Sequence, residues 1–166
     1  MTSARTVAPS VRDRQLDDAL HIGLAAQLLV LLMPVVDWLT FDSIATHVRA
    51  AYPAWGPGEV ALDHDAIVWS LLGVGLLGSL GWLWAIRTSR RAGHRSRIIT
   101  TALFALGTTV AVTSLLFAGG AYDRVLPLWY GIAGIVPCLA GLTAVVAVWQ
   151  PGRAGTPGAP AGWARG

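Results

Sequence analysis

Residues 66–97 read AIVWSLLGVGLLGSLGWLWAIRTSRRAGHRSR. From Ala66 to Ile86 there is no charged side chain, and Arg87, Arg90, Arg91, Arg95 and Arg97 follow within a few positions. About 20 apolar residues rising 1.5 Å each cover the ~30 Å of hydrocarbon in a bilayer. Arginines massed directly after such a run hold the following link on the cytoplasmic face. The stretch therefore reads as one membrane span that ends inside the cell.

Three further apolar stretches flank it, at about residues 19–39, 98–118 and 126–149, giving four spans between residues 19 and 149. The polar lead, residues 1–18, carries Arg5, Arg12 and Arg14, and the tail, residues 150–166, carries Arg153 and Arg165. With four spans these segments share a side with the arginine-rich link. The opposite side holds only Arg49 and Arg124, against Asp37, Asp42, Glu59, Asp63, Asp65 and Asp123. The positive-inside rule places both termini and the arginine-rich link in the cytoplasm. A three-span arrangement would separate the basic lead from the basic tail. Aromatic residues mark the same boundaries: Trp38, Trp69, Tyr122, Trp129 and Tyr130 outside, Trp82, Trp84 and Trp149 inside. The first stretch is long for a cleaved leader, and no small-x-small site follows it, so it reads as a retained span.

Composition agrees. The chain of 166 residues is 54% hydrophobic and 13% charged, where a soluble domain carries about a quarter charged residues. The formal charge of +3 does not point to nucleic acid, because the arginines flank apolar runs and form no patch between stacking aromatics. Cys138 is the one cysteine; inside an apolar run it behaves as a small hydrophobe. The tail from Pro151, rich in Pro, Gly and Ala, is expected to be disordered.

The external loop between the first two spans holds Phe41, Ile44, Ala45, Val48 and Tyr52 at helical spacing. Asp42 or Ser43 is placed to cap it and Pro53 to end it, which predicts a short amphipathic helix on the outer membrane surface. The fold class is an all-α membrane protein, a four-transmembrane-helix bundle with a short interfacial helix in the first external loop. Small or polar stripes predict the packing faces: Gly23, Gln27, Val30, Pro34 and Asp37; Ser70, Val74, Gly78, Gly81 and Ala85; Thr100, Gly107, Ala111, Ser114 and Ala118; and Gly131, Gly134, Cys138 and Gly141.

Candidate polar sites are few. Gln27, near the midplane, reads first as a structural hydrogen bond to Thr108, Thr109, Thr113 or a backbone carbonyl, and second as a ligand contact. Asp37, at the outer mouth of the same stripe, ends its helix in the headgroup zone or, turned inward, binds a cation or proton. His47, Asp63, His64 and Asp65, with Asp37, are metal-ligand types. Their spacing favours a solvated cap on the second span, where negative charge suits a helix N-terminus. Haem is not expected, since His21 and His94 lie at the cytoplasmic ends and His47 and His64 lie outside. No cofactor, phosphate-cradling loop or catalytic arrangement is expected.

The outer loop after the first span, the basic link Arg87-Thr88-Ser89-Arg90-Arg91 and the last span from Trp129 to Cys138, with Gly131, Gly134 and Pro137, resemble the small four-helix bacterial membrane proteins of the DoxX-like class. Most of that class is uncharacterised, and some members accompany redox or stress systems as membrane subunits. The resemblance implies a fold and a location, with no activity to carry over. The expected role is a non-enzymatic membrane subunit or accessory protein, its partners being the bilayer and a membrane protein or second copy. The alternatives are a small transporter or ion- or proton-handling protein using Asp37 and Gln27, and an outward-facing enzyme or metal site.

Overall fold

A computed structural model describes residues 11–89 and 93–150. The first ten residues, Arg90 and Arg91 of the link and the tail expected to be disordered lie outside the described residues. Five helices form: α1 (Val11–Thr40), α2 (Ser43–Ala51), α3 (Pro57–Ser89), α4 (His94–Leu116) and α5 (Leu128–Trp149). There is no strand among the described residues. The four longer helices each contain a window long and apolar enough to cross a membrane. The protein is an all-α four-helix membrane bundle.

Helices α1 and α3 outrun the bilayer. Their 30 and 33 residues correspond to about 45 and 50 Å of helix at 1.5 Å per residue. The surplus of α1 lies at its start, where the polar lead continues as helix from Val11. The surplus of α3 lies in Pro57–Asp65, a stretch expected to belong to the external loop.

The bundle is a closed ring. Helix α1 packs on α3 and α5, and α4 packs on α3 and α5; the diagonal pairs α1/α4 and α3/α5 make no close backbone approach among the described residues. The helices alternate in direction. At one end Leu20 and Ala19 of α1 meet Ala85 of α3 and Ala144 of α5. At the other, Ile44, Ala45 and Val48 of α2 meet Val60, Ile67 and Val68 of α3 and Tyr130 of α5. The start of α1 and the end of α5 thus share the arginine-rich end, and α2 closes the opposite, cap end.

Close approach of small residues holds the helices together, as hydrocarbon offers no hydrophobic drive between apolar surfaces. Gly23 lies under the Trp82 indole, Gly75 against Leu31, Gly131 against Leu115 and Gly141 against Phe104. The stripes expected on α1 and α5 face inward: Gly23, Pro34 and Asp37 are buried, as are Gly131 and Gly141. On α3 the stripe is rotated. Ala85 is buried and Gly78 lies against Gln27 as expected, but Ser70 and Val74 are exposed and Gly75 and Ser79 are buried instead, in register with Val60, His64, Ile67 and Val68, which face inward at the α2 end. On α4, Thr100 and Ala111 are buried but Gly107 is exposed, and Ala118 lies beyond the helix end. The outward surface is apolar, with Leu29, Leu39, Trp69, Leu77, Leu80 and Leu106 all well exposed. Contiguous exposure on this scale belongs to a surface that meets lipid or another membrane helix.

Candidate functional site at the cap end

The polar residues singled out in the sequence collect mostly around α2. A helix of 9 residues is too short to be stable alone, so its place depends on outside partners. Asp37 is the main one. It is buried near the end of α1 and accepts the Ser43 N–H at 3.1 Å, the Ile44 N–H at 3.2 Å and the Ser43 hydroxyl at 2.5 Å. A carboxylate there satisfies the first N–H groups of α2 and meets the positive end of its dipole. The Asp37 carbonyl also accepts the Phe41 and Asp42 N–H groups, closing α1. One residue therefore ends one helix and starts the next, and the Tyr130 phenol lies within electrostatic reach of its carboxylate.

The cap was expected from Asp42 or Ser43. Asp42 does occupy the position before α2, but with φ 49° and no side-chain cap bond. Aspartate tolerates this left-handed backbone better than most residues. Its carboxylate is turned away, 3.8 Å from Arg49 and 3.7 Å from His64 Nε2. The apolar face of α2 also departs from expectation. Ile44, Ala45 and Val48 are buried against α3 and the link before α5, so this face covers protein; Phe41, before the helix, stays exposed.

His64, expected in a solvated cap, is buried. Its Nδ1 lies 3.0 Å from Asp65 Oδ1, its ring is tilted against Trp38 at 6.4 Å, and Nε2 has no hydrogen-bond partner. Asp63 accepts a hydrogen bond from the Tyr122 hydroxyl. His47 stacks on the same Tyr122 at 5.4 Å, and its Nε2–H donates to the Arg124 carbonyl at 2.8 Å. His47, Asp63 and His64 thus have separate partners. No three His, Cys, Asp or Glu side chains among the described residues come together in a way that could hold a metal.

Gln27 lies apart from this cap. Its amide donates to the Gly75 carbonyl at 3.3 Å and its side chain lies over Gly78. The partner is a backbone carbonyl of α3, and the threonines of α4 are not involved, because α1 and α4 are diagonal in the ring.

The phenols were missed as polar partners. Tyr52 stacks on Trp55 at 3.8 Å and meets Tyr122 edge-on at 5.2 Å. Its hydroxyl oxygen accepts the Ala121 N–H at 3.0 Å, pinning the α4–α5 link to the end of α2. Gly120, at φ 59°, has no room for a Cβ beside that hydroxyl. Burial pushes the Tyr122 phenol above its usual range, and the hydrogen bond to Asp63 and its charge push it further. The signal available in the sequence was that Asp37 and Asp63, beside apolar runs, need donors, and the nearby arginines are too few to supply them. An open recess of about 340 Å³ lies beside this cluster, lined by Trp55, Glu59, Leu62, Asp63 and Ala66. In comparisons with protein-family models, curated proteins and solved structures, nothing matches this chain.

Proposed function

We propose that this protein is a non-enzymatic subunit or accessory protein of a bacterial cytoplasmic membrane, working through helix–helix or lipid contacts, with both termini and the arginine-rich link in the cytoplasm. One observation carries the reading: most of the polar groups that chemistry would draw on are already engaged in holding the fold. Asp37 caps α2, Asp63 holds Tyr122, His47 holds the Arg124 carbonyl and Gln27 holds α3. Most of what remains free along the spans is apolar surface. The placement of Arg87, Arg95 and Arg14 at the end opposite the acidic cap supports the orientation. The DoxX-like resemblance suits the same role.

Photo-crosslinkers placed at Leu29, Leu77 and Leu106 in native membranes test it. The expected result is a defined crosslinked partner or homodimer from at least one face. Capture of lipid alone from all three would overturn the subunit reading. Tags at the two termini should both be protected in right-side-out vesicles, and opposite accessibility would overturn the orientation.

A second reading, ion or proton handling, is favoured by the burial of Asp37 beside a phenol, on the same helix face as Gln27. Asp37→Asn and Gln27→Leu separate the two. Flux lost from a bundle with unchanged helicity and melting would establish transport, whereas loosening of α2 without loss of flux supports the structural role.

A further inference from the structure

The recess at Trp55 has both carboxylates engaged: Glu59 accepts the Gly56 N–H at 2.7 Å, and Asp63 holds Tyr122. A second groove, of about 350 Å³, differs. It runs between α1 and α5 at the arginine-rich end and is lined by Gln15, Asp18, Ala19, Ile22, Ala140, Thr143, Val146, Ala147 and Gln150. Its deep part is apolar, at the level where both helices carry their membrane spans. At its mouth stand one carboxylate and two carboxamides.

Asp18 is the unusual member. Its neighbour Asp17 is tied to His21, whose Nδ1 is 3.5 Å from the Asp17 carboxylate. Asp18 has neither an ion pair nor a side-chain hydrogen bond among the described residues, although Arg14 precedes it by one helical turn. The Thr143 hydroxyl donates to the Leu139 carbonyl at 3.1 Å, so it has no proton left for a phosphate. A carboxylate with no partner among the described residues, beside two amide donors and above an apolar furrow open to the bilayer, matches a molecule with an ammonium group, a phosphate and an acyl chain.

We infer that this groove is a binding site for a phospholipid with a primary-amine headgroup of the ethanolamine type. Asp18 accepts hydrogen bonds from the ammonium group, Gln15 and Gln150 donate to the phosphate, and an acyl chain lies along Ile22, Ala140 and Val146. An anionic headgroup is disfavoured by the Asp18 charge, and a choline headgroup offers no N–H to donate. The inference deepens the lipid-contact part of the proposed function and rests on that reading.

The test uses the full chain in phosphatidylcholine nanodiscs with an equal minor fraction of either phosphatidylethanolamine or phosphatidylglycerol. Retained lipid is counted by native mass spectrometry after stepwise delipidation. Phosphatidylethanolamine should be retained preferentially, and Asp18→Asn should weaken that retention about fivefold, the scale of one partly exposed ion pair. Ala140→Phe, filling the furrow, should reduce retention of every lipid. Retention that follows bulk composition for all headgroups, or an Asp18→Asn protein that still prefers phosphatidylethanolamine as the wild type does, overturns the site. Asp18 is exposed, so its variant tests the idea even where Ala140→Phe fails to fold. Loss of headgroup preference with crosslinked partners intact removes the groove alone. Loss of the crosslinks with headgroup preference intact removes the subunit role and leaves the groove.

Discussion

At the cap end, Asp37 accepts three hydrogen bonds from α2, Tyr122 donates to Asp63, and Tyr52 receives the Ala121 N–H. At the arginine-rich end, Ala19, Leu20, Ala85 and Ala144 meet through apolar surface. There a side-chain hydrogen bond between helices runs from Trp149 Nε1 to Thr101 at 3.0 Å, with Arg97 over the same indole at 5.7 Å. The contrast follows the solvent and the length of the pieces. Long helices in hydrocarbon satisfy their own backbones and need only shape to associate. A nine-residue helix outside the hydrocarbon needs its exposed N–H groups paired and its one apolar face covered. Directional polar contacts therefore concentrate where the short element sits.

If this contrast holds, the largest loss comes from spoiling shape within the bundle. A Cβ at Gly131 would sit 3.0 Å from the Leu115 Cα, a backbone atom that cannot step aside. Gly131→Leu should cost about 3 kcal/mol, the upper range for overpacking, read as a lowered melting temperature in detergent with α4 and α5 separating. An unchanged melt would mean that close approach does not hold these helices. Asp37→Ala should cost about 2 kcal/mol by stranding the first N–H groups of α2. The loss should be local: hydrogen exchange rises at Ser43–Val48 while the spans stay protected, and Asp37→Asn recovers part of the protection.

Tyr122→Phe should cost about 1 kcal/mol at neutral pH, and its pH profile is more telling. The folded phenol is raised above its unfolded value of about 10. Its contribution is thus complete below that value and is lost as pH rises through the higher folded one. The wild type should loosen at the cap end in strong alkali, and Tyr122→Phe should flatten that part of the profile. Equal alkaline curves would remove the Asp63 bond as a fastener. Gln27→Leu should have the smallest effect, up to about 1 kcal/mol, because an interhelical hydrogen bond in a bilayer has a modest net value. A fall much beyond that would move Gln27 from a packing contact to a centrepiece of the bundle.

Much of the fold was legible in linear order. The charge-free run from Ala66 to Ile86 required a span, and Gly131 and Gly141 marked the face of α5. The rotation of α3 was not legible. Ser70 differs little from Ser79 in type, and the choice depends on Ile44 and Val48 pressing on the turns that begin at Val60. Asp37 was visible as a buried-carboxylate candidate, but its partners were not, because capping across a helix boundary depends on the chain reversal at Asp42. The Tyr122–Asp63 pair joins positions 59 apart with no local pattern linking them.

What one dimension settles here is solvent and crossing number: hydrocarbon selects apolar length, and arginine resists translocation, and both properties add up residue by residue along the chain. What needs three dimensions is which polar group answers which. A hydrogen bond depends on distance and angle between remote segments, so Asp37 became a helix cap and His64 a buried ring only once α2 had folded back over α3.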